Sequence, residues 1–167
     1  GITNGDGYKN IENDSILKYN AGVTATPLKG WNIRVYWDAM GTDDIQQTLS
    51  FYTGYSTKKI NLGAEFNQQM NNKMKAGNDF SGYSFYGAYK LNDKFRAFGR
   101  YDNLSSVIVG NDTDPWNIGT DGQAILFGFE FNPVKGIKIT PNYQGWMPAG
   151  NNGALVHSGY LSCEIKI

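Results

Sequence analysis

Apolar and polar residues alternate with a period of two along most of this 167-residue chain. In the segment 31–39, for example, Trp, Ile, Val, Trp and Ala alternate with Asn, Arg, Tyr and Asp. A period of two predicts β-strands with one apolar and one polar face, because successive side chains of a strand point to opposite sides of the sheet. The pattern predicts nine strands, at residues 16–26, 31–39, 48–56, 59–67, 83–91, 95–104, 123–132, 137–146 and 154–167.

The predicted connections alternate between tight turns and longer polar loops. The tight turns lie at 27–30, 57–58, 92–94 and 133–136, and all but the one at 57–58 contain the Pro, Gly, Asn or Asp residues that favour hairpin turns. The longer connections lie at 40–47, 68–82, 105–122 and 147–153. This alternation, with strands of about nine to eleven residues, is typical of an antiparallel transmembrane β-barrel with short periplasmic turns and longer outer loops.

The strand count predicts an incomplete barrel. Placing the tight turns in the periplasm makes residues 1–15 an extracellular loop and leaves an odd number of strands, whereas a closed bacterial barrel has an even number. We therefore predict that residues 1–167 form one domain, the C-terminal portion of a larger barrel. The period alone also allows a soluble β-sandwich, in which the apolar face would point inward.

Composition narrows the classes of function. The 15 basic and 15 acidic side chains balance, so no strong field favours nucleic acid. One cysteine (Cys163) and one histidine (His157) leave no cysteine-rich metal site and no partnered nucleophile. The sequence indicates neither an enzyme nor a cofactor or metal site.

Four stretches resemble the phosphate-selective porin (O and P type) family. They are Lys-Leu-Asn-Asp-Lys-Phe at 90–95 continuing to Arg-Tyr-Asp at 100–102, the hairpin at 128–139, Pro-Asn-Tyr-Gln-Gly-Trp at 141–146, and the closing stretch 160–167. Residues 1–82 match that family only in general style. The resemblance implies a bacterial outer-membrane porin; the arginines and lysines on which that family's phosphate preference depends have no identifiable counterpart here, so phosphate selectivity is not implied.

The polar face supplies the candidate pore-lining residues. Charged rings on a pore wall set ion preference electrostatically. The candidates are Lys18, Arg34, Asp38, Glu65, Lys90, Arg96, Arg100, Asp102, Glu130 and Lys138. Together with Glu164 and Lys166 of the last strand they give seven basic against five acidic residues, a slight lean toward anions. Arg96 and Arg100, four residues apart in the chain and therefore two positions apart on one face, are the leading candidates for selectivity, although cross-strand ion pairing is the simpler interpretation of any one charge.

Three hypotheses follow from the sequence. The first is a porin for passive diffusion of small hydrophilic solutes or ions, whose partners are outer-membrane lipid and, in an oligomer or larger envelope assembly, further chains. The second is a structural or adhesion barrel with a plugged lumen. The third is a soluble β-sandwich that binds carbohydrate through loop tryptophans Trp116 and Trp146.

Overall fold

The computed structural model describes residues 1–5, 16–150 and 153–166 of the chain. These residues form one antiparallel sheet in which each strand pairs with its neighbour in sequence. The ten strands are β1 (Ile2–Asn4), β2 (Leu17–Ala25), β3 (Trp31–Met40), β4 (Gln46–Ser56), β5 (Ile60–Met70), β6 (Phe80–Lys90), β7 (Phe95–Ser106), β8 (Gly122–Phe131), β9 (Ile137–Pro148) and β10 (Val156–Ile165).

The nine predicted strands correspond to β2 through β10, which confirms the all-β antiparallel prediction. The expectation that residues 1–15 form a loop is wrong at its start, because Ile2–Asn4 pairs with β2 as a tenth strand. Three residues are too few to show an alternation of apolar and polar side chains, so only the pairing with β2 defines them as a strand. The part of that expected loop at residues 6–15 lies outside the described residues.

Several strands extend further than predicted at the long-loop end of the sheet. β4 begins at Gln46, β5 ends at Met70 and β6 begins at Phe80. These added residues are largely polar, so the alternation of apolar and polar residues ends before the hydrogen-bonded pairing of the strands ends. As a result the connection at 41–45 is five residues long, no longer than the turn at 26–30, and the strict alternation of loop lengths is wrong at this point. The connections at 71–79, 107–121 and 149–155 are the longer ones, as predicted.

Local sequence explains the tight turns. Two of them share the pattern Pro-x-Lys-Gly, and each ends in a glycine with positive φ, Gly30 at 85° and Gly136 at 89°. In both, the residue after the glycine donates its N–H to a carbonyl three residues back, that of Leu28 or Val134. A positive φ is easily adopted by glycine, so these positions fix the register of the flanking strands.

The two faces of the sheet differ sharply in polarity, and no apolar side chain of the described residues is buried. On the apolar face, Phe127 is 49% exposed, Phe129 53% and Leu161 70%. The fully sheltered side chains are polar instead, among them Asp38 and Asp121. The sheet is therefore a single layer whose apolar face has no protein packed against it within the described ranges.

The sheet is open rather than closed into a barrel. β1 and β10 are its edge strands and do not pair with each other. The described residues contain no α-helix and only one short 3-10 turn, at Asn72–Met74. No helix in these ranges is long and apolar enough to cross a membrane.

Candidate functional site

All ten pore-lining candidates lie on one face of the sheet. The strand register makes this face continuous from β2 to β10. Arg34 pairs with Tyr52, for example, and Tyr52 pairs with Glu65. The same register joins Arg96 to Glu130 and, further along, Lys138 to Glu164. The sequence thus identified one continuous polar surface, which we call the polar face.

Most charges on the polar face are paired. Lys18 contacts Asp38 at 3.1 Å, Arg96 contacts Glu130 at 3.6 Å and Lys138 contacts Glu164 at 2.9 Å. Arg100 donates from Nε to both carboxylate oxygens of Asp102, at 2.8 and 2.9 Å. At the tight-turn end, Lys90 pairs with Asp93 of the turn at 2.6 Å, and Lys166 pairs with Glu164 at 2.9 Å.

The pairing changes the ranking of the candidate residues. Arg96 and Arg100, which lead the sequence-based ranking, each have a carboxylate partner that offsets the positive charge. Ser84 also bonds both members of the Arg100–Asp102 pair. Cross-strand pairing was the simpler interpretation of these charges in the sequence. The structure shows it for Arg96, whereas Arg100 pairs with Asp102 of its own strand.

Arg34 and Glu65 are the two candidates that have no ion pair within the described part of the chain. The guanidinium carbon of Arg34 lies 6.0 Å from the centre of the Tyr36 ring, a cation–π distance. The carboxylate of Glu65 accepts a hydrogen bond from Asn67 Nδ2 at 2.6 Å. The two side chains line one open cleft of about 360 Å³, together with Tyr36, Ser50 and Tyr52.

Tyrosine hydroxyls form a second feature of the polar face that charge counting missed. Tyr52 and Tyr86, on strands separated by β5, share a hydrogen bond of 2.8 Å between their hydroxyls. The Tyr86 ring lies over Gly63, its register partner, where a side chain would collide with it. The signal was present in the sequence as tyrosines at polar-face positions, with glycines at neighbouring positions of the same face.

Two long loops fold over the long-loop end of the polar face. In the loop 107–121, the Trp116 ring packs against Phe80 at 6.0 Å between centroids, and the Trp116 indole N–H donates to the Asp79 carbonyl at 2.8 Å. Asp121, only 2% exposed, accepts hydrogen bonds from the backbone N–H and the hydroxyl of Ser106. Since Phe80 and Ser106 are on the polar face, the loop covers that face and not the apolar one.

The loop 71–79 packs beside the loop 107–121. The backbone N–H of Lys73 donates to Gln46 Oε1 at 2.7 Å, and Gln46 is a nearly buried side chain of the polar face. A side chain at Gly77 would meet Val109 of the neighbouring loop. The sequence did not indicate these contacts, because they join residues far apart in the chain through loop conformations that have no repeating pattern.

The two ends of the sheet carry opposite charge. The tight turns contain five lysines and one acid: Lys29, Lys58, Lys59, Lys94 and Lys135, with Asp93. The described loops at the other end contain six acids and two lysines: Asp43, Asp44, Asp79, Asp112, Asp114 and Asp121, with Lys73 and Lys75. A balanced net charge therefore conceals a charge gradient along the strands.

Asp93 is a titrating group of the basic end. The ammonium of Lys90 donates a hydrogen bond to the carboxylate and lowers the pKa of Asp93 below its ordinary value. Because the carboxylate is fully exposed, the pair is screened by solvent. Asp93 thus stays ionised and only partly offsets the lysines around it.

The other residues named in the sequence analysis lie in strand β9 or β10. Trp146 lies within β9, in agreement with the predicted strand 137–146 and not with the loop position that the carbohydrate-binding hypothesis requires. His157 is exposed on β10 and bonds the Tyr143 hydroxyl through Nδ1 at 2.6 Å. Cys163 is an exposed free thiol whose position in β10 places it on the apolar face. No group of three or more His, Cys, Asp or Glu side chains is placed to hold a metal ion in the ranges that the structure covers.

Comparison with known proteins gives no match, either to a model of a protein family or to a curated protein.

Proposed function

We propose that this chain forms part of the wall of a bacterial outer-membrane porin, through which small hydrophilic solutes diffuse passively. The observation that carries the proposal is the exposed apolar face. Every strand from β2 to β10 contributes exposed large apolar side chains to it, while polar and charged groups occupy the opposite face. Contiguous apolar surface beyond a few hundred Å² marks contact with protein or membrane, and a sheet with a charged second face suits lipid on one side and water on the other.

The polar face supports the water-filled side of this assignment. Its charges are compensated mostly by one another, and its tyrosine, serine and asparagine side chains can bond water. Along β5, Asn61, Glu65 and Asn67 are less exposed than Leu62 and Phe66 on the other face. That difference is expected for a sheet that curves toward its polar side, as a barrel wall does.

A membrane-spanning wall requires closure, because unpaired backbone groups at a strand edge are costly in lipid. We propose that the edges at β1 and β10 pair with strands outside this sheet, contributed by further chain or by other copies. Charge compensation along the wall predicts weak ion selectivity, with a smaller anion preference than the excess of basic residues alone would give.

Cysteine accessibility tests which face meets lipid. In a Cys163→Ala background, we expect Ser50→Cys, on the polar face, to react rapidly with a membrane-impermeant thiol reagent in proteoliposomes. Phe51→Cys, one residue along β4 on the apolar face, should react slowly and become reactive after detergent extraction. The neighbouring positions serve as each other's control, because they share strand and depth.

Equal labelling of both cysteines, or faster labelling of Phe51→Cys, would show that the apolar face is not covered by lipid. Recovery of the untreated protein in the aqueous fraction without detergent would instead favour the soluble sandwich. A membrane-inserted protein that labels as expected but conducts no ions would favour the plugged barrel.

The charge gradient predicts a rectifying current. In planar bilayers at about 0.01 M salt, where the Debye length is about 30 Å, the current–voltage curve should be asymmetric because the basic and acidic ends attract opposite ions. At about 1 M salt, where the Debye length is about 3 Å, the asymmetry should disappear. Replacing the five turn lysines with glutamine should reduce the low-salt asymmetry, and a symmetric curve for the unchanged protein at low salt would refute the prediction.

A further inference from the structure

We infer that the cleft between Arg34 and Glu65 binds a short zwitterionic peptide, with its carboxylate at Arg34 and its ammonium at Glu65. This rests on the proposed function, since it names a solute class for the same polar face. The one cation and the one carboxylate among the ten candidates that lack an ion pair in the described ranges flank the same cleft.

The geometry keeps these two charges apart. Arg34 lies on β3 and Glu65 on β5, and the register places Tyr52 of β4 directly between them. Two strand spacings put about 10 Å between the backbones of β3 and β5. The Arg34 guanidinium also lies towards Gly22 of β2, away from Glu65, so the two charged groups are at least as far apart as these backbones. Neither group is within ion-pair distance of an opposite charge in the ranges that the structure describes, so each remains available to a ligand.

The length of the separation selects the ligand. A fully extended peptide spans about 3.3–3.6 Å per residue, so a tripeptide, about 10 Å long, is the shortest peptide that can reach both groups. A free amino acid is too short to reach both groups. Guanidinium binds a terminal carboxylate through paired N–H donors, and a carboxylate accepts from an ammonium group, both as charge-assisted hydrogen bonds.

Hydroxyl groups line the space between the charges. Ser50 and Tyr52 line the cleft, and the Tyr52 hydroxyl shares a hydrogen bond with that of Tyr86. Such groups can bond the peptide units of a bound chain without reading its side chains. The volume of about 360 Å³ lies within the range of small-molecule sites. We therefore expect recognition of the two termini and little discrimination by sequence.

Current block by defined peptides tests the inference. Trialanine added to single channels in bilayers should block the salt current at a concentration at least tenfold below that for N-acetyl-trialanine, trialanine amide or alanine. Each of these analogues lacks one terminal charge or the required length, and tenfold corresponds to losing about one charge-assisted contact. Arg34→Gln and Glu65→Gln should each raise the half-blocking concentration of trialanine about tenfold.

Lys58→Gln, which removes a cation from the turn after β4, is the matched control and should leave the half-blocking concentration unchanged. Channels that conduct salt but respond equally to trialanine and N-acetyl-trialanine would overturn the peptide site and leave the porin standing. Calorimetric titration of the detergent-solubilised protein with trialanine tests the site without a conducting channel. No binding there, or binding unaltered by both substitutions, would also overturn it.

Discussion

Substituting Gly128 with alanine is expected to lower the free energy of unfolding by about 1–3 kcal/mol, the usual cost of overpacking a close contact. A Cβ at this position would lie 2.6 Å from the Pro141 carbonyl oxygen, 2.7 Å from the Asn142 Cβ and 2.8 Å from the Phe98 ring. The first two atoms belong to or adjoin the backbone of β9, so relief requires the strand itself to shift. Urea unfolding of the detergent-solubilised or liposome-inserted protein measures the change.

Gly159→Ala provides the control in the same sheet. No heavy atom lies within 4 Å of a Cβ built at Gly159, so its replacement removes only the backbone freedom of glycine. That change should leave stability equal or raise it by about 0.5–1 kcal/mol. If the two variants unfold at the same urea concentration, the close packing of β8 on β9 at Gly128 is not a determinant of stability.

Excising the loop tip and its anchor, by replacing residues 108–118 with Gly-Ser-Gly, is expected to raise single-channel conductance several-fold. The loop is held over the polar face by Trp116 against Phe80 and by Asp121 against Ser106. In the proposed porin this end of the polar face is the mouth of the water-filled path. Because the narrowest section dominates the resistance of a pore, removal of the loop should have a larger effect than neutralising a single wall charge.

A milder replacement tests whether the anchored part of the loop, and not its exposed tip, limits the conductance. Residues 110–114 are exposed, and replacing them with glycine and serine keeps the anchoring contacts of Trp116 and Asp121. That variant should conduct like the unchanged protein. A conductance unaffected by the full excision would mean that the loop lies outside the conducting path, even though it covers the polar face.

Much of the candidate site could be predicted because the period of two is a local property. Knowing that Arg34, Arg100 and Lys138 alternate with apolar neighbours is enough to assign them to a polar face, and the register confirms that they share one. Which charges neutralise each other could not be predicted in the same way. Arg96 meets Glu130 and Lys18 meets Asp38 only through the offset between strands, which depends on the turns and loops that join them.

The sequence by itself determined nine of the ten strands, the segregation of polar from apolar side chains and the positions of the tight turns, since each follows from side-chain alternation or from the φ preference of a few residues. Tertiary structure decided the rest. Strand pairing made Ile2–Asn4 a strand, and the contacts of Trp116 folded the loop 107–121 over the polar face. Within the described residues, Arg34 and Glu65 were left without ion pairs around one cleft. These outcomes depend on contacts between residues distant in the chain, for which a local pattern carries no information.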